Sequence, residues 1–343
     1  MIRLGILSPS EIAYRRFMPA LKQLSSDLEF VAIAIASPEE WFGDCSAIAK
    51  DIIDNQQSIE FTKATNFIND YGGRIINGYE ALLDLEDIDA VYIPLPPALH
   101  YKWAKLALGK GKHVYLEKPF TTTESDTLDL IGLAEQNGLA LHENYMFVFH
   151  KQIEELNNIV KSGEIGDVRL YRVTFGFPRR QVGDFRYNKR LGGGVLYDVA
   201  GYTLKYASLL LGKTARITTS HLNYVPDFEI DMFGAATMVN DRGDIAQLAF
   251  GMDNDYRCDI EVWGSKGTIT SNRILTAPVG FVPTYTIKKN QDYETRKFSS
   301  DDSFLKSILR FKQCVDDIDV RQDNYQIIAH QASLIELFKL KAK

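Results

Sequence analysis

Val114-Tyr115-Leu116-Glu117-Lys118-Pro119-Phe120 is a short apolar run that ends on a charged pair and a proline. Because proline lacks an N–H donor and has a fixed φ, a strand containing this run must end there. Parallel strands are buried on both faces, and charge is tolerated at the carboxyl edge of the sheet, where α/β proteins bind ligands. Lys118 is therefore a candidate site residue, although an isolated Glu-Lys-Pro would more simply be a turn with a solvated lysine.

The composition indicates a globular protein of two domains, since 343 residues is long for one hydrophobic core. Apolar residues make up 45% and charged residues 24% of the chain, which is ordinary for that class. The net charge is −6 and no block of lysine or arginine stands out. This argues against nucleic acid or a membrane surface as the main partner.

The sequence shows no sign of membrane insertion or metal binding. No apolar run approaches the roughly 20 residues that span a bilayer, and the first seven residues are expected to form a strand rather than a signal peptide. The three cysteines, Cys45, Cys258 and Cys314, are far apart and lack metal-binding spacing. Their odd number fits a reducing compartment. We therefore expect a cytoplasmic protein without a metal site.

Apolar runs and helical patterns alternate throughout the first half of the chain. Residues 2–7 and 30–36 are predicted strands, joined by a turn and a helical pattern that extends to Leu24. Further predicted strands at 89–93 and 139–142 lie on either side of the central run in sequence, with helical segments between them. This order is typical of a doubly wound parallel sheet.

The first strand–turn–helix–strand unit has the length of a dinucleotide-binding motif. The three glycine positions of the G-x-G-x-x-G fingerprint are occupied by Ser8, Ser10 and Ala13. All three are small, so a pyrophosphate could approach the backbone and the N–H groups at the start of the helix. Ser8, Ser10, Glu11 and Ile12 are the predicted cofactor contacts, although the motif alone would be an ordinary βα turn.

The end of the second strand bears on the choice of cofactor. NAD sites usually carry Asp or Glu there to bind the ribose 2′-OH, whereas this chain has Ala36-Ser37-Pro38 followed by Glu39-Glu40. A serine accommodates a 2′-phosphate better than a carboxylate does. Arg15 and Arg16 on the first helix could add positive charge or be solvated. We therefore expect Ser37 and Arg15 to contact NADP, with NAD as the alternative cofactor.

After residue 143 the pattern changes to longer alternating runs, at 169–177, 215–222, 232–239, 244–251 and 257–263. These runs predict one antiparallel or mixed sheet, with a face left open as an oligomer surface. Helical patterns at 304–314 and 325–340 close the chain. The predicted domains are 1–143 and 144–343, with a C-terminal helix that can pack back on the first domain.

A glycine triplet, Gly192-Gly193-Gly194, precedes a predicted helix that carries Asp198 and Tyr202. The glycine N–H groups would suit an anion or a close ligand. Residues four apart share a helix face, so the carboxylate and the phenol could clamp a substrate or exchange protons. A flexible loop before a core helix with an incidental polar pair explains the sequence equally well.

Four basic residues lie in the loop before the glycine triplet: Arg179, Arg180, Arg186 and Lys189. They could bind a nucleotide diphosphate through charge-assisted hydrogen bonds. A solvated basic loop is at least as consistent with the sequence.

Three segments, in this order and at this spacing, resemble the glucose–fructose oxidoreductase / inositol 2-dehydrogenase family, also called Gfo/Idh/MocA. They are residues 94–100, the run from Gly109 to Pro119, and the glycine triplet followed by Asp198. The resemblance covers essentially the whole chain. It implies an N-terminal Rossmann domain that binds NAD or NADP. It also implies a C-terminal α+β domain with an open, mostly antiparallel sheet that binds a sugar substrate and forms a homodimer or homotetramer.

By position, Lys118 resembles the family's lysine beside the nicotinamide. Asp198 resembles the aspartate of its Asp-x-x-x-His pattern, whose histidine is replaced here by Tyr202. The resemblance implies further cofactor contacts from Pro94, Leu95, His100, Glu117 and Lys118. It implies substrate contacts from Asn144, Arg186, Tyr187, Asp198 and Tyr202.

The residues from Ser10 to Leu21, together with tyrosine in place of the histidine, resemble the nucleotide-sugar 3-ketoreductases. In that subgroup a lysine and a tyrosine flank the reacting carbonyl. The sequence therefore predicts an NAD(P)-dependent oxidoreductase that moves a hydride between nicotinamide C4 and a carbonyl or hydroxyl carbon of a sugar. Reduction of a nucleotide-linked ketosugar is the favoured reaction.

In that reaction Lys118 and Tyr202 would stabilise the negative charge that develops on the carbonyl oxygen. Glu117 would orient Lys118, and Asp198 would orient the substrate or Tyr202. Two alternatives remain open. One is a catabolic dehydrogenase of a free sugar, a polyol or a trans-dihydrodiol, and the other is a dinucleotide-binding regulator without turnover.

Overall fold

The alternating elements of the first half form a six-stranded sheet in the computed structural model, which describes residues 1–342. Its strands are β1 Ile2–Leu7, β2 Leu28–Ile35, β3 Arg74–Asn77, β4 Ala90–Ile93, β5 His113–Leu116 and β6 Leu141–Glu143. All neighbours are parallel, in the order β3-β2-β1-β4-β5-β6. The order reverses between β1 and β4, which is where doubly wound sheets bind ligands. The predicted fold of the first half is confirmed.

Helices cover both faces of this sheet, as parallel crossovers require. They are α1 Met18–Lys22, α2 Pro38–Phe42, α3 Lys50–Tyr71, α4 Tyr79–Leu83, α5 Pro97–Gly109 and α6 Glu124–Asn137. A π-helical turn at Ala13–Phe17 precedes α1, and a 3-10 turn at Cys45–Ala47 follows α2. Inside, the ring of Phe17 stacks on that of Tyr92 with 4.0 Å between centroids.

The chain divides into two compact units. The first comprises residues 1–121, 125–144 and 308–328, and the second comprises 122–124, 145–307 and the tail that begins at Ala329. The change from the first unit to the second follows Asn144, one residue after the predicted boundary. The second predicted domain is not continuous, because residues 308–328 belong to the first unit.

The second unit contains an eight-stranded sheet. Its strands are β7 Val168–Gly176, β8 Arg216–Tyr224, β9 Asp231–Val239, β10 Ile245–Gly251, β11 Arg257–Gly264, β12 Thr268–Asn272, β13 Thr284–Lys289 and β14 Asp292–Lys297. The order is β14-β13-β12-β11-β7-β10-β9-β8. Only β7 and β10 pair in parallel, and the other neighbours are antiparallel. The sheet is mixed and mostly antiparallel, as predicted.

One face of the eight-stranded sheet is covered and the other is open. The remaining helices are α7 Lys151–Lys161, α8 Gly201–Leu211, α9 Ser303–Asp316 and α10 Ile318–Lys341, with short turns at Met146–Phe149, Phe185–Tyr187, Lys189–Leu191 and Leu196–Ala200. Helix α8 packs on β7 and β10. Along β9 the side chains alternate, so that Met232, Ala236 and Met238 are buried whereas Phe233 and Ala235 are exposed.

Residues 1–342 were compared with the requirements of a membrane-spanning helix and of a metal site. In that range no helix combines the length and the apolar character needed to cross a membrane. The same range holds no group of three or more His, Cys, Asp and Glu side chains placed to bind a metal ion.

Four strands and the first part of helix α3 were not predicted from the sequence, which indicates a short helix only at 64–71. Of the 22 residues in α3 only Glu60, Ala64 and Phe67 are buried, so its first half shows no apolar stripe and only residues 64–71 had a helical pattern. Strands β3 and β14 are sheet edges, and β14 is almost fully exposed. With little burial, their sequences lack the alternation that marks a strand. Strands β12 and β13 were also missed.

His113, at the start of β5, makes stability depend on pH. Its Nδ1 accepts a hydrogen bond from the N–H of Ala140 (2.9 Å), which only an unprotonated nitrogen can do. Burial, helped by the charge of Arg321, lowers the pKa of His113 to about 4. The unfolded chain, with a pKa of about 6.5, binds this proton more readily than the folded chain.

We therefore expect the free energy of unfolding to fall as the pH is lowered from about 6.5 to about 4, with about 3 kcal/mol coming from His113. Urea unfolding of the wild type and of His113→Gln across this range measures that share, because the Gln carbonyl can still accept from Ala140. The variant should lose less stability than the wild type. If the free energy of unfolding falls equally with pH in both proteins, His113 is not the source of the pH dependence.

Candidate functional site

The turn after β1 adopts the geometry of a dinucleotide-binding loop without its glycines. Ser8 has a φ of +89°, in the left-handed region that glycine usually supplies. Its N–H donates to the carbonyl of Ala34 near the end of β2 (3.0 Å). Ser10 Oγ accepts from the N–H of Ala13, where the first helix begins (3.2 Å). The fingerprint positions therefore form the expected tight turn.

A cavity of about 380 Å³ lies beside this turn. Of the predicted cofactor contacts, Ser8, Ser10 and Glu11 line it, and Ile12 is half-buried next to them. The small side chains of the turn leave the backbone approachable, so the residues present fit a dinucleotide. The remaining lining was not predicted from the sequence, and most of it comes from α2 and the polar helix α3. Trp41 lies in α2; Glu60, Lys63, Asn66 and Phe67 lie in α3; Tyr14 lies in the π-helical turn, and Pro9 lies in the turn after β1.

Ser37, expected to bind a 2′-phosphate, is engaged by two carboxylates instead. Its Oγ accepts from the N–H of Glu40 (3.3 Å) and its own N–H donates to Glu40 Oε2 (2.8 Å), which is a capping box for α2. Its hydroxyl donates to Glu39 Oε2 (3.1 Å). Arg15 is paired with Glu11, with 3.2 Å between Nε and Oε1. This geometry does not favour either residue as a phosphate ligand.

His100 acts through the backbone rather than by direct contact with a ligand. Its side chain has no exposed surface. Nδ1 lies 2.8 Å from the carbonyl oxygen of Pro119, and Nε2 lies 2.7 Å from that of Leu95. Burial lowers the pKa of His100, although the two carbonyls oppose the shift. The histidine therefore joins the turn after β4, which contains Pro94 and Leu95, to the turn after β5.

Glu117 and Asn144 form a polar cluster beneath Lys118. Glu117 Oε1 accepts from the hydroxyl of Tyr92 and from Asn144 Nδ2, both at 2.7 Å. Tyr115 donates to Asn144 Oδ1 (2.7 Å). Burial raises the pKa of Glu117, and its hydrogen bonds and the charge of Lys118 limit the shift. Asn144 is 1% exposed and holds Glu117 through this hydrogen bond, so its contact with a substrate stays a prediction.

In the second unit the glycine triplet serves the fold of the chain. The N–H groups of its three residues donate to the carbonyls of Lys189, Asn188 and Arg186 (3.1, 3.0 and 3.0 Å). A Cβ on Gly193 would overlap the carbonyl oxygen of Arg186. Asp231 Oδ2 accepts from the N–H of Leu196 at the start of the next helical turn (2.6 Å). The expectation that these N–H groups bind an anion is therefore wrong.

Arg186 holds Asp198 in place. Its Nε donates to Asp198 Oδ2 (2.7 Å), and its Nη1 lies 3.2 Å from Asp184 Oδ1. Burial alone would lower the pKa of Arg186, but the two carboxylates outweigh it and the pKa is raised. Two carboxylates therefore hold Arg186 in one position, and its contact with the substrate stays a prediction. Arg179 is likewise paired, with Asp253 (2.7 Å).

Tyr202, in α8, lies in an aromatic cluster and is 8% exposed. The rings of Tyr145 and Phe175 meet it edge-on, with centroids 5.2 and 5.4 Å away. Asp198 precedes it in the π-helical turn at Leu196–Ala200. In the preceding loop, the hydroxyl of Tyr187 accepts from the N–H of Arg180 (2.6 Å), so that this residue stabilises the loop.

A parallel sheet with a dinucleotide turn at its switch point, a lysine at its carboxyl edge, and a separate open-sheet unit define a nucleotide-cofactor-dependent oxidoreductase. Residues 12–145 match the model of the oxidoreductase family with an NAD-binding Rossmann fold, and residues 153–270 match the GFO/IDH/MocA C-terminal domain. The chain belongs to the Gfo/Idh/MocA family, which confirms the predicted family.

Several relatives that match most or all of the chain bear the same name. A dTDP-3,4-didehydro-2,6-dideoxy-alpha-D-glucose 3-reductase of Actinomadura kijaniata is 33% identical over 342 residues, covering 100% of this chain and 96% of the relative. The protein of the same name from Streptomyces violaceoruber is 36% identical over 315 residues, covering 92% and 85%.

The solved structure of KijD10, a 3-ketoreductase from Actinomadura kijaniata in complex with NADP and TDP-benzene, has a TM-score of 0.89 to this chain. It is 33% identical and the match covers 100% of this chain and 98% of that one. Two further KijD10 structures carry a substituted tyrosine or a substituted lysine. Those two positions are separated by the same number of residues as Lys118 and Tyr202.

Gly201, between Asp198 and Tyr202, admits the side chain of Tyr145. A Cβ at position 201 would overlap the Tyr145 hydroxyl, and Tyr145 packs on Tyr202. Gly201→Ala should therefore lower the free energy of unfolding by about 1–3 kcal/mol and also lower kcat. Gly132→Ala in α6, where no atom lies within 4 Å of the added Cβ, is the matched control and should be stabilising. Equal stability of the two variants in urea unfolding would contradict this packing.

Proposed function

We propose that this protein is an NADP-dependent reductase that transfers a hydride to the C3 carbonyl of a dTDP-linked 3,4-didehydro-2,6-dideoxy sugar. The observation that carries the proposal is that four relatives, 31–36% identical and matching 92–100% of this chain, all bear that name. The complex of KijD10 with NADP and a TDP derivative supports the same cofactor and nucleotide. The turn after β1 and the cavity beside it fit the dinucleotide.

The reduced nicotinamide, when bound, supplies the hydride. We infer that Lys118 and Tyr202 donate hydrogen bonds to the carbonyl oxygen of the substrate, where negative charge develops, and that one of them gives up a proton to it. The matching separation of the substituted lysine and tyrosine in KijD10 supports this pair. Both donate a hydrogen bond to that oxygen, so each must enter the reaction protonated.

Other groups of this chain position the two donors. Glu117 places a carboxylate next to Lys118, and its own orientation is fixed by Tyr92 and Asn144. Arg186 fixes Asp198 one turn before Tyr202. We propose that Asp198 orients the sugar or Tyr202, and that the loop containing Tyr187 borders the nucleotide of the substrate.

The homodimer or homotetramer through the open sheet stays a prediction. The exposed face of β7–β11 carries large side chains, among them Phe233 and Trp263. It also holds a depression of about 390 Å³, lined in part by Arg172, His221 and Gln247. Apolar surface of this kind is common where copies of a chain pair. The cytoplasmic location likewise stays a prediction.

The substrate assignment predicts a clear preference between nucleotide-linked and free sugars. With NADPH, the protein should reduce a dTDP-linked 3-keto sugar with a kcat/KM at least 100-fold above that for a free sugar. Oxidation of D-xylose with NADP should be negligible by the same absorbance assay at 340 nm. A higher kcat/KM for a free sugar or polyol would establish the catabolic alternative instead. NADPH binding without turnover of any ketosugar would favour a regulator.

Substitution of the two donors tests the mechanism. We expect Lys118→Ala to be nearly inactive while NADPH still binds, and Tyr202→Phe to lower kcat by about 10²-fold, the usual loss for one donor to a developing oxyanion. Tyr206→Phe is the matched control, since it lies one turn further along α8 and its hydroxyl has no hydrogen-bond partner among residues 1–342. Full turnover of Lys118→Ala, or equal losses in the two tyrosine variants, would remove the assigned roles.

A further inference from the structure

The cavity beside the β1 turn is built by the first unit alone, and half of its lining comes from α2 and α3. Trp41, at 45% exposure, offers a flat apolar surface, and Glu60 and Lys63 add charge. Gln57 fixes the position of α3 relative to β2, because its Nε2 donates to the carbonyl of Ala36 just beyond β2 (2.8 Å). Glu60 and Lys63, about one and two turns further along α3, therefore lie beside the turn after β1.

The end of β2 offers no positive charge for a phosphate. Residues 37–44 contain no lysine or arginine, and the N–H and hydroxyl of Ser37 are bonded to Glu40 and Glu39. Arg15, on the first helix, is paired with Glu11. A 2′-phosphate, which is dianionic over most of the physiological pH range, needs a cation from another element.

Lys63 is the cation that lines the cavity. Its Nζ lies 2.8 Å from Glu60 Oε1, while the lysine side chain is 52% exposed. An ammonium has three donors, and the bond to Glu60 uses one of them. Glu60 is 2% exposed and also accepts from Gln56 Nε2 (3.4 Å), so it fixes the lysine from beneath. The remaining donors of Lys63 are available toward solvent.

We propose that Lys63 of α3 binds the 2′-phosphate of the adenosine ribose and sets the preference for NADP over NAD. The inference rests on the proposed function for the identity of the cofactor, and it assigns the discrimination between NADP and NAD to the part of α3 that the sequence did not predict. Lys63 is a binding residue, and Glu60 is a positioning residue that acts through it. The pyrophosphate is also anionic, so the same ammonium could bind it instead. The experiment below distinguishes binding of the 2′-phosphate from binding of the pyrophosphate.

The test measures binding of two small probes to the full chain by calorimetry: adenosine 2′,5′-bisphosphate and 5′-AMP. Their affinity ratio isolates the 2′-phosphate, and no sugar substrate is needed. Lys63→Met should lower that ratio at least tenfold and leave 5′-AMP binding unchanged, whereas Lys63→Arg should retain most of it. Lys50→Met, an exposed lysine on the same helix outside the cavity, is the control and should leave the ratio unchanged.

Removal of Lys63 alone leaves a buried carboxylate without its cation, which can destabilise the fold. The double variant Lys63→Met/Glu60→Gln avoids this and should show the same loss of the ratio. The ratio of kcat/KM for NADPH to that for NADH should fall in parallel, with kcat at saturating NADPH retained. Equal loss for both probes would assign Lys63 to the 5′-phosphate end, and an unchanged ratio would remove it from the site. If neither probe binds the wild type, the dinucleotide function itself fails.

Discussion

The imidazole of His100 connects two backbone turns that both carry residues of the candidate site. Burial favours the neutral ring of His100, which carries a single N–H and can donate to the carbonyl of Leu95 or of Pro119, but not to both at once. One hydrogen bond, worth about 0.5–1.5 kcal/mol net, therefore adds to the apolar packing between the two turns. Since Lys118 directly precedes Pro119 in the chain, the backbone position of the lysine follows from this contact. A residue with no access to solvent thus helps to place the backbone of a candidate site residue.

The polar cluster beneath Lys118 shows why parallel sheets build sites at their carboxyl edge. Tyr92, Glu117 and Asn144 are far apart in sequence, yet they come from β4, the end of β5 and the end of β6, which are neighbours in the sheet. Hydrogen bonds across adjacent strands fix the carboxylate in a setting of low dielectric, where such contacts are strong. The orientation of Glu117 is therefore set before any ligand binds. Preorganisation of this kind lets a site act without first rearranging.

The sequence predicted the parts of the fold that bury regular apolar patterns, and it failed where burial is slight. Strands β1, β2, β4 and β5 are short apolar runs whose ends are marked by proline, serine or charge. Helix α3 is polar along most of its length, so its extent, and hence the position of Lys63, could be seen only in three dimensions.

The prediction for the glycine triplet was wrong for another reason. Glycine permits close approach of a ligand or of the chain itself, and sequence alone cannot tell which, whereas at Gly193 the neighbour is the backbone of Arg186.

In each unit a cation of the candidate site is paired with carboxylates, and this pairing affects how an anionic ligand can bind. In the first unit Lys63 is neutralised by Glu60, and in the second Arg186 faces both Asp198 and Asp184. Such pairing reduces the long-range pull that a free cation would exert on a phosphate. It also holds the ammonium or guanidinium in one geometry, because a partly buried partner removes much of its rotamer freedom. For Lys63 the remaining donors can still meet a phosphate at short range, where position matters more than net charge. For Arg186 the Nε and Nη1 donors are engaged by two carboxylates, so much of its charge is offset within the chain.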